Sequence, residues 1–437
     1  LNQNPQLYIL DKFVKKGYLI ADIKLNFDNQ GQLKDDFIAK GFVRETKINV
    51  LKNHRVDKLN FIFEYDKNQL KFQDINLSYN NFKIFSDKLI IDNKKNYYEI
   101  KGDFENKNSN FDYIEVQSFL GLFFPNFKFE KLDINTKNKF SFNLNRKFKI
   151  SNLNLNSEIK LNELLVSNTL ELQKFLPLIK DDIKLSNHNL SLNFKKNTLN
   201  IKGLGEIFLQ KKSDKISYEF NKIRDIYEFK TSINIKDNPI NIDFLNFKKQ
   251  KDEEINIDLE GYKKLNDQIK FDLIHLKGQN NYIKISGLLL NNKNKIIDLE
   301  NVSIDIIDNE NYTNKFRIFK KKGDFYLEGK TLNADHLIEN ILNDDNEKNT
   351  NKFFNKNFKI NIQINQLILD KDYSLETFSG NLFLKDNEIV NASLTGLFPN
   401  DKKIKFTIKS NENKKITTLF LDKAKPIVSR YKFIKGF

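Results

Sequence analysis

Alternation with a period of two constrains this chain more than any other feature. Residues 358 to 364 run FKINIQI, which puts Phe358, Ile360, Ile362 and Ile364 on one side of an extended strand and Lys359, Asn361 and Gln363 on the other. Ile404, Phe406 and Ile408 repeat the pattern against Lys405 and Thr407. Between these runs Asp386-Asn387 reads as a turn, and Ala392 to Gly396 as another half-buried strand. Nothing in the stretch looks catalytic. It is a meander of strands that are apolar on one face only.

The same unit recurs along the chain. Ile23, Leu25 and Phe27 alternate ahead of the turn Asp28–Gly31, and Leu59/Phe61/Phe63, Leu70/Phe72 and Tyr98/Ile100 follow. From Ile183 to Phe247 the reading is strand after strand, clearest at Tyr227, Phe229, Thr231, Ile233 and Ile235. Next come Ile255, Ile257, Leu259, then Ile269, Phe271, Leu273, then Ile283, Ile285, expected in phase on one concave face with Lys270 and Lys284 pointing outward. A local pattern, apolar-x-apolar-x-Gly, ends at Gly102, Gly203, Gly261, Gly287, Gly329 and Gly396. Glycine in the apolar phase of a strand permits a bend, a bulge or the close approach of another element. The copies are irregularly spaced, which disfavours a strict solenoid.

Helical signals are few. Asn4 and Pro5 open a helix with Leu7, Leu10, Phe13 and Val14 on one stripe, closed by Gly17. Residues 111–121 read as a short helix, and 172–178 as another, interrupted by Pro177. Asn333 can cap a helix that puts Leu337, Ile338, Ile341 and Leu342 on one face, and residues 343–352 after it read as a polar linker. Residues 423–432 offer a last amphipathic helix. Helix should make up roughly a tenth of the whole, within one continuous β region spanning residues 1–437.

Composition agrees with one-faced strands. Hydrophobic residues are only 39% and charged ones 30% of 437 residues, too little apolar material for a thick closed core. The crowding of Lys, Asn, Ile and Phe is what AT-rich codons produce, so the net charge of +15 is discounted. Cysteine is absent, which removes disulfides and thiolate metal sites. Methionine is absent even at position 1, so the chain is expected to be a piece of a longer product, any membrane anchor lying upstream. No run of about 18 apolar residues is present.

Candidate chemistry is sparse. His54, His188, His275 and His336 lack partners at metal-ligand spacing, and Asp35-Asp36, Asp181-Asp182 and Asp344-Asp345 sit in apparent turns. Gly203-Leu-Gly205 resembles a phosphate loop only superficially, since no helix with its lysine follows. From Asp401 to Phe437, eleven Lys/Arg face three acids, an excess of eight, read here as solvated strand faces that blunt edge pairing. No enzyme, cofactor, metal or nucleic-acid partner is expected.

A resemblance enters on Gly329-Lys-Thr-Leu-Asn-Ala-Asp-His-Leu-Ile and on the terminal Lys423-Ala-Lys-Pro-Ile-Val-Ser-Arg-Tyr-Lys-Phe-Ile-Lys-Gly-Phe437. Both stretches, with the run of one-faced strands punctuated by helices, resemble the AsmA, TamB and YhdP group of bacterial envelope proteins. The resemblance implies a mostly β fold, a long twisted antiparallel sheet curled into an elongated groove with a few short amphipathic helices. It also implies a periplasmic location, anchoring in the inner membrane outside this segment, and a role in carrying phospholipid towards the outer membrane. Acyl chains would then lie on the fifteen apolar residues named above at 255–285, 358–364 and 404–408, with outer-membrane components as further partners. Two other readings stay open. One is an outer-membrane barrel, favoured by the aromatic ending Tyr431, Phe433 and Phe437, but opposed by runs of five to seven residues where about 9–11 are needed. The other is an adhesin-like structural protein.

Overall fold

The computed structural model describes residues 14–422 apart from 33, 35, 52–53, 80–81, 121–127, 168–171, 265–267, 293–294, 338–356, 386–387, 400 and 412–413. Strand accounts for 74% of the structure and helix for 3%, so the protein is mostly β. The expected helices at 423–432 and over most of 1–16, with the linker at 343–352, lie outside the described residues. Contacts cluster the chain into two compact units. The first is Leu1–Asn168, Asp181–Phe208 and Ser217–Arg224; the second is Thr169–Lys180, Leu209–Ile216 and Asp225–Phe437.

The first unit is an antiparallel meander. Its strands are β1 (Val14–Lys24), β2 (Ile38–Leu51), β3 (His54–Asp66), β4 (Gln69–Tyr79), β5 (Phe82–Asn93), β6 (Tyr97–Phe111), β7 (Phe129–Asn145), β8 (Ile150–Ser167), β9 (Asp182–Lys195) and β10 (Thr198–Phe208). Each pairs with the next in sequence. Two expectations change here. Val14 to Gly17 belong to β1, not to a helix, because their backbone pairs with β2. The strands also outrun their alternating stretches, reaching 17 residues in β7 and 18 in β8.

Bulges explain that length. In β8 the apolar face carries Leu155, Ile159 and Leu161, then Leu164 and Val166, an odd phase followed by an even one. Asn162 is the extra residue, since Ile134 pairs with Leu161 while Asp133 pairs with Glu163. One inserted residue reverses the phase, so strict alternation breaks while the face continues. Left-handed φ at Glu45, Lys58, Asp74 and Asn187 marks similar irregularities in β2, β3, β4 and β9.

β11 (Asp214–Ile223) contributes residues to both units. The second unit continues with β12 (Ile226–Ile235), the hairpin β13 (Asn241–Ile242) and β14 (Phe247–Lys248), then β15 (Ile255–Lys264), β16 (Ile269–Lys277), β17 (Tyr282–Leu290), β18 (Ile296–Asp298) and β19 (Asn301–Ile307). β20 (Thr313–Lys321), β21 (Asp324–Asn333), β22 (Phe358–Ile368), β23 (Ser374–Lys385), β24 (Glu388–Phe398), β25 (Lys402–Asn411) and β26 (Lys414–Leu421) complete it. Pairing is antiparallel except between β21 and β22, which are parallel. A parallel pair needs a crossover connection of a dozen or more residues, and residues 334–357 supply it, beginning with a helical turn at 335–337.

Neither a barrel nor a helix at 172–178 is present. β1 pairs with β2, and the strands are not closed into a barrel. Around Pro177 the chain makes only turns: Phe175 and Leu176 N–H both donate to Leu172 O, and the ring at 177 prevents the next helical bond.

Candidate functional site

In both units, side chains in register across the ladders gather apolar residues on one face. In the first unit this face has two ends. At one, the helix α1 (Tyr113–Leu120) lies over it. A capping box starts α1: Glu115 N–H donates to Asp112 Oδ1 at 3.1 Å and Asp112 N–H to Glu115 Oε2 at 3.4 Å. Val116, 1% exposed, then packs with Phe111, Phe129, Leu132, Leu161 and Val166 into a closed core.

The other end is open. Across β3–β7 a trough of about 440 Å³ is lined by residues including Phe61, Phe72, Ile75, Leu89, Phe104 and Phe140. These six are half-buried, and Phe61 meets Phe72 edge-on at 5.2 Å. Between the two ends runs a chain of polar side chains on the same face. Asn138 Nδ2 donates to Thr136 Oγ1 (2.8 Å), Thr136 Oγ1 to Asn106 Oδ1 (2.7 Å) and Asn106 Nδ2 to Ser109 Oγ (2.5 Å). Period-two reading finds the face but misses this belt, because Thr136 and Asn138 interrupt the apolar phase of β7 between Ile134 and Phe140.

In the second unit, register places fourteen of the fifteen sequence-selected residues on one face. Ile257 pairs with Ile233 and Leu276, Leu259 with Ile274, and Ile285 with Ile274 and Val302. Ile283 joins Leu276 and Ile304. Phe358, Ile360, Ile362 and Ile364 meet Leu384, Leu382, Gly380 and Phe378, while Ile404, Phe406 and Ile408 meet Gly396, Leu394 and Ala392. Leu273 is the correction. A bulge at Asp272 lets Gly261 pair with Phe271 while Glu260 pairs with Leu273, which turns Leu273 to the opposite face. Ile269 and Phe271, beyond the bulge, stay on the apolar face with Leu290 and Leu288.

Burial further divides the set. Ile255 is 0% exposed and Ile364 1%. Near Ile255, the β13–β14 hairpin buries Ile240, Ile242, Leu245 and Phe247, and is tied to the turn after β19 by Asn309 N–H donating to Asn246 O at 2.9 Å. Ile364 belongs to a closed cluster with Leu332, Leu367, Leu369, Leu375 and Phe398. These two are core residues, and Ile283 and Ile408 are buried as well, at 9% and 7% exposure.

The recurrent glycines have a packing role. Gly261 sits between Phe229 and Phe271 in register, and those rings meet over it at 5.6 Å. A Cβ there would lie 2.1 Å from Lys270 O. Gly203 and Gly205 serve another pair of rings: a Cβ on Gly203 would lie 2.3 Å from Tyr218 Cζ, and one on Gly205 2.3 Å from His188 Cδ2. The Gly-x-Gly is thus a recess for side chains. His188, 0% exposed, has Nδ1 3.1 Å from Tyr218 Oη and Nε2 2.8 Å from Glu206 O. Burial pushes the His188 pKa down and that of Tyr218 up to about 12.

Two further buried acids accept hydrogen bonds from neighbouring amides. Asp308 Oδ2 accepts from Asn314 Nδ2 and Asn333 Nδ2, and its Oδ1 from the N–H groups of Glu310 and Tyr312. Asn238 bonds Asp214, whose carboxyl burial pushes above the ordinary range. Among the described residues no group of three or more His, Cys, Asp or Glu could hold a metal ion. The opposite face carries cross-strand ion pairs: Lys40–Glu64 and Lys131–Glu163 at 2.8 Å in the first unit, Lys230–Glu260 at 2.9 Å and Arg317–Glu328 at 2.8 Å in the second. Such exposed pairs add little stability singly but keep that face wet. Among the described residues no helix is long and apolar enough to cross a membrane.

Compared with protein-family models, curated proteins and solved structures, the chain matches none.

Proposed function

We propose that this chain is a non-enzymatic lipid-handling protein whose apolar sheet face receives phospholipid acyl chains. One observation carries the reading: the trough across β3–β7 exposes a row of large apolar side chains on the same face that α1 closes a few residues away. Apolar area left open to water is unfavourable in proportion to its size, so a trough lined by half-buried large apolar side chains favours an apolar occupant. Hydrocarbon chains suit it because the lining offers shape and dispersion contacts, with little hydrogen bonding. The sequence resemblance extends the proposal to transfer of phospholipid between the inner and outer membranes of a Gram-negative envelope. There the chain would work in the periplasm, held at the inner membrane by an anchor outside this segment.

The test is a pair of variants on adjacent residues of β4. Phe72→Asp places a carboxylate on the apolar face, while Lys71→Asp places one on the wet face. Organic extracts of the purified native chain should contain phospholipid by mass spectrometry. Phe72→Asp should lose it with an unchanged circular dichroism spectrum, and Lys71→Asp should keep it. Equal lipid content in the two folded variants, or none in the native chain, would sink the reading.

A further inference from the structure

The turns of the first unit are sorted by charge. In an antiparallel meander alternate turns fall at the same end, so β3–β4, β5–β6, β7–β8 and β9–β10 set theirs in a row, at residues 67–68, 94–96, 146–149 and 196–197. They read KN, KKN, RKFK and KN: seven of the eleven residues are Lys or Arg, and none is acidic. The connections at the opposite end, 52–53, 80–81 and 112–128, hold two lysines and two acids. AT-rich codons account for the number of lysines in the chain, not for this sorting. The turn at 25–37, acidic in sequence, bounds the row on the β1 side.

Strand spacing puts neighbouring turns of the row about 10 Å apart, close to a Debye length at physiological salt, so their fields overlap. Of the three acids in the recess between the first two turns, Asp92 pairs with Lys101 at 3.3 Å and Glu64 with Lys40 at 2.8 Å, which leaves Asp66. The third turn adds apolar surface. Phe148 is 75% exposed and Ile150 60%. Phe148 holds φ at +58°, where Asn or Gly would sit more easily than a bulky ring. Asn145 Oδ1 fixes the turn by accepting from the N–H groups of Lys147 and Lys149, both at 2.9 Å. Arg146 ties it to the adjacent turn, donating to Asn93 Oδ1 at 2.7 Å and Lys94 O at 2.9 Å.

We propose that this end of the first unit docks on an anionic lipid bilayer, with the turn cations among the headgroups and Phe148 entering the interface. None of the turn residues lines the trough, so the surface is separate from the one that receives acyl chains. Lysines and arginines are drawn to the negative surface potential of such a bilayer, and an apolar side chain between them adds buried area at headgroup depth. A nucleic-acid strand would also meet the cations, but it offers nothing to the aliphatic Ile150, whereas hydrocarbon does.

The experiment sediments the full chain with vesicles of mixed phosphatidylglycerol and phosphatidylcholine, or of phosphatidylcholine alone. The native chain should bind the mixed vesicles only, and less as salt rises. Replacing Lys95, Lys147 and Lys149 together by Gln should weaken binding about a hundredfold. Replacing Lys83, Lys107 and Lys128 by Gln removes the same charge about 30 Å or more away, beyond the reach of screened fields, and should have little effect. Phe148→Trp reports insertion, because the chain has no other tryptophan; its emission should shift to the blue on mixed vesicles. No binding by the native chain, equal weakening by the two triple variants, or an unshifted emission would overturn the proposal. Displacement of the vesicles by a single-stranded oligonucleotide that binds Phe148→Ser as tightly as the native chain would reassign this end to nucleic acid. Copurified phospholipid should be the same in the native chain and the turn variant, so failure here leaves the lipid-handling reading standing.

Discussion

The trough across β3–β7 and the cluster around Ile364 are made from the same kind of strand, yet one is open and the other shut. In the trough Phe61, Phe72, Leu89, Phe104 and Phe140 remain half-buried. In the cluster Ile364 and Leu375 are 1% exposed and Phe398 3%. The connecting segments make the difference. Asp370 Oδ1 accepts from Asp372 and Tyr373 N–H, forming a turn that brings Leu369 and Tyr373 into the cluster, while Ala334 and Leu337 enter from the crossover. Lys67, Asn68 and Lys94 instead line a separate polar recess with Glu64, Lys71 and Asp92, and carry no apolar side chain to lay on a neighbouring face. Alternation decides which face is apolar; the side chains of the turns decide whether it is covered.

Substituting a charge should separate the two regions most. Ile364→Asp buries an unpaired carboxylate at a cost of several kcal/mol, so the second unit should unfold, seen as loss of β signal and early proteolysis. Phe72→Asp should fold. If both variants fold, the cluster is not closed in solution.

Truncation gives a graded version. Leu375→Ala should cost about 2–5 kcal/mol in urea denaturation, the range for a fully buried leucine. Leu89→Ala should cost about 1 kcal/mol, because that side chain is only partly buried. Equal costs would mean that the trough is filled or covered.

Gly261→Val should cost about 1–3 kcal/mol, because its Cβ would lie 2.1 Å from Lys270 O and the β16 backbone would have to shift. Gly31→Ala, where nothing lies within 4 Å of an added Cβ but φ is +79°, should cost about 1 kcal/mol from backbone strain alone. A neutral Gly261→Val would show that β16 does not approach the glycine this closely in solution.

A smaller effect lies in the first unit's pH dependence. His188 is held neutral by burial, so its folded pKa is below the ordinary value of about 6.5. Its contribution is therefore full above about 6.5 and declines as pH falls towards the folded value, because the unfolded chain binds the extra proton. Tyr218 acts at the other end: stability should decline as pH rises from about 10, the ordinary tyrosine value, towards about 12. His188→Gln should flatten the acid slope; an unchanged slope would assign it to other groups. The smallest effect belongs to the outer face, where Lys284→Asp should change stability by no more than about half a kcal/mol.

The sequence by itself determined that the protein is β-rich, that its strands are one-faced, and which residues form that face in the second unit. Side-chain direction alternates along any strand, so Ile257, Ile285, Ile362 and Phe406 could be assigned before any neighbour was known. Helix α1 was legible as a short helix within residues 111–121, though its capping box was not. Only the tertiary structure decided the rest. The phase of Leu273 depends on a bulge that exists only against β15, and the length of β8 depends on a bulge at Asn162 against β7. The two glycines at 203 and 205 needed the rings of Tyr218 and His188 beside them to show their purpose. The basic turns at 67–68, 94–96, 146–149 and 196–197 read as ordinary solvated turns, far apart in sequence. Only the antiparallel pairing of β3 to β10 sets them side by side at one end, and no local pattern in the chain encodes that row.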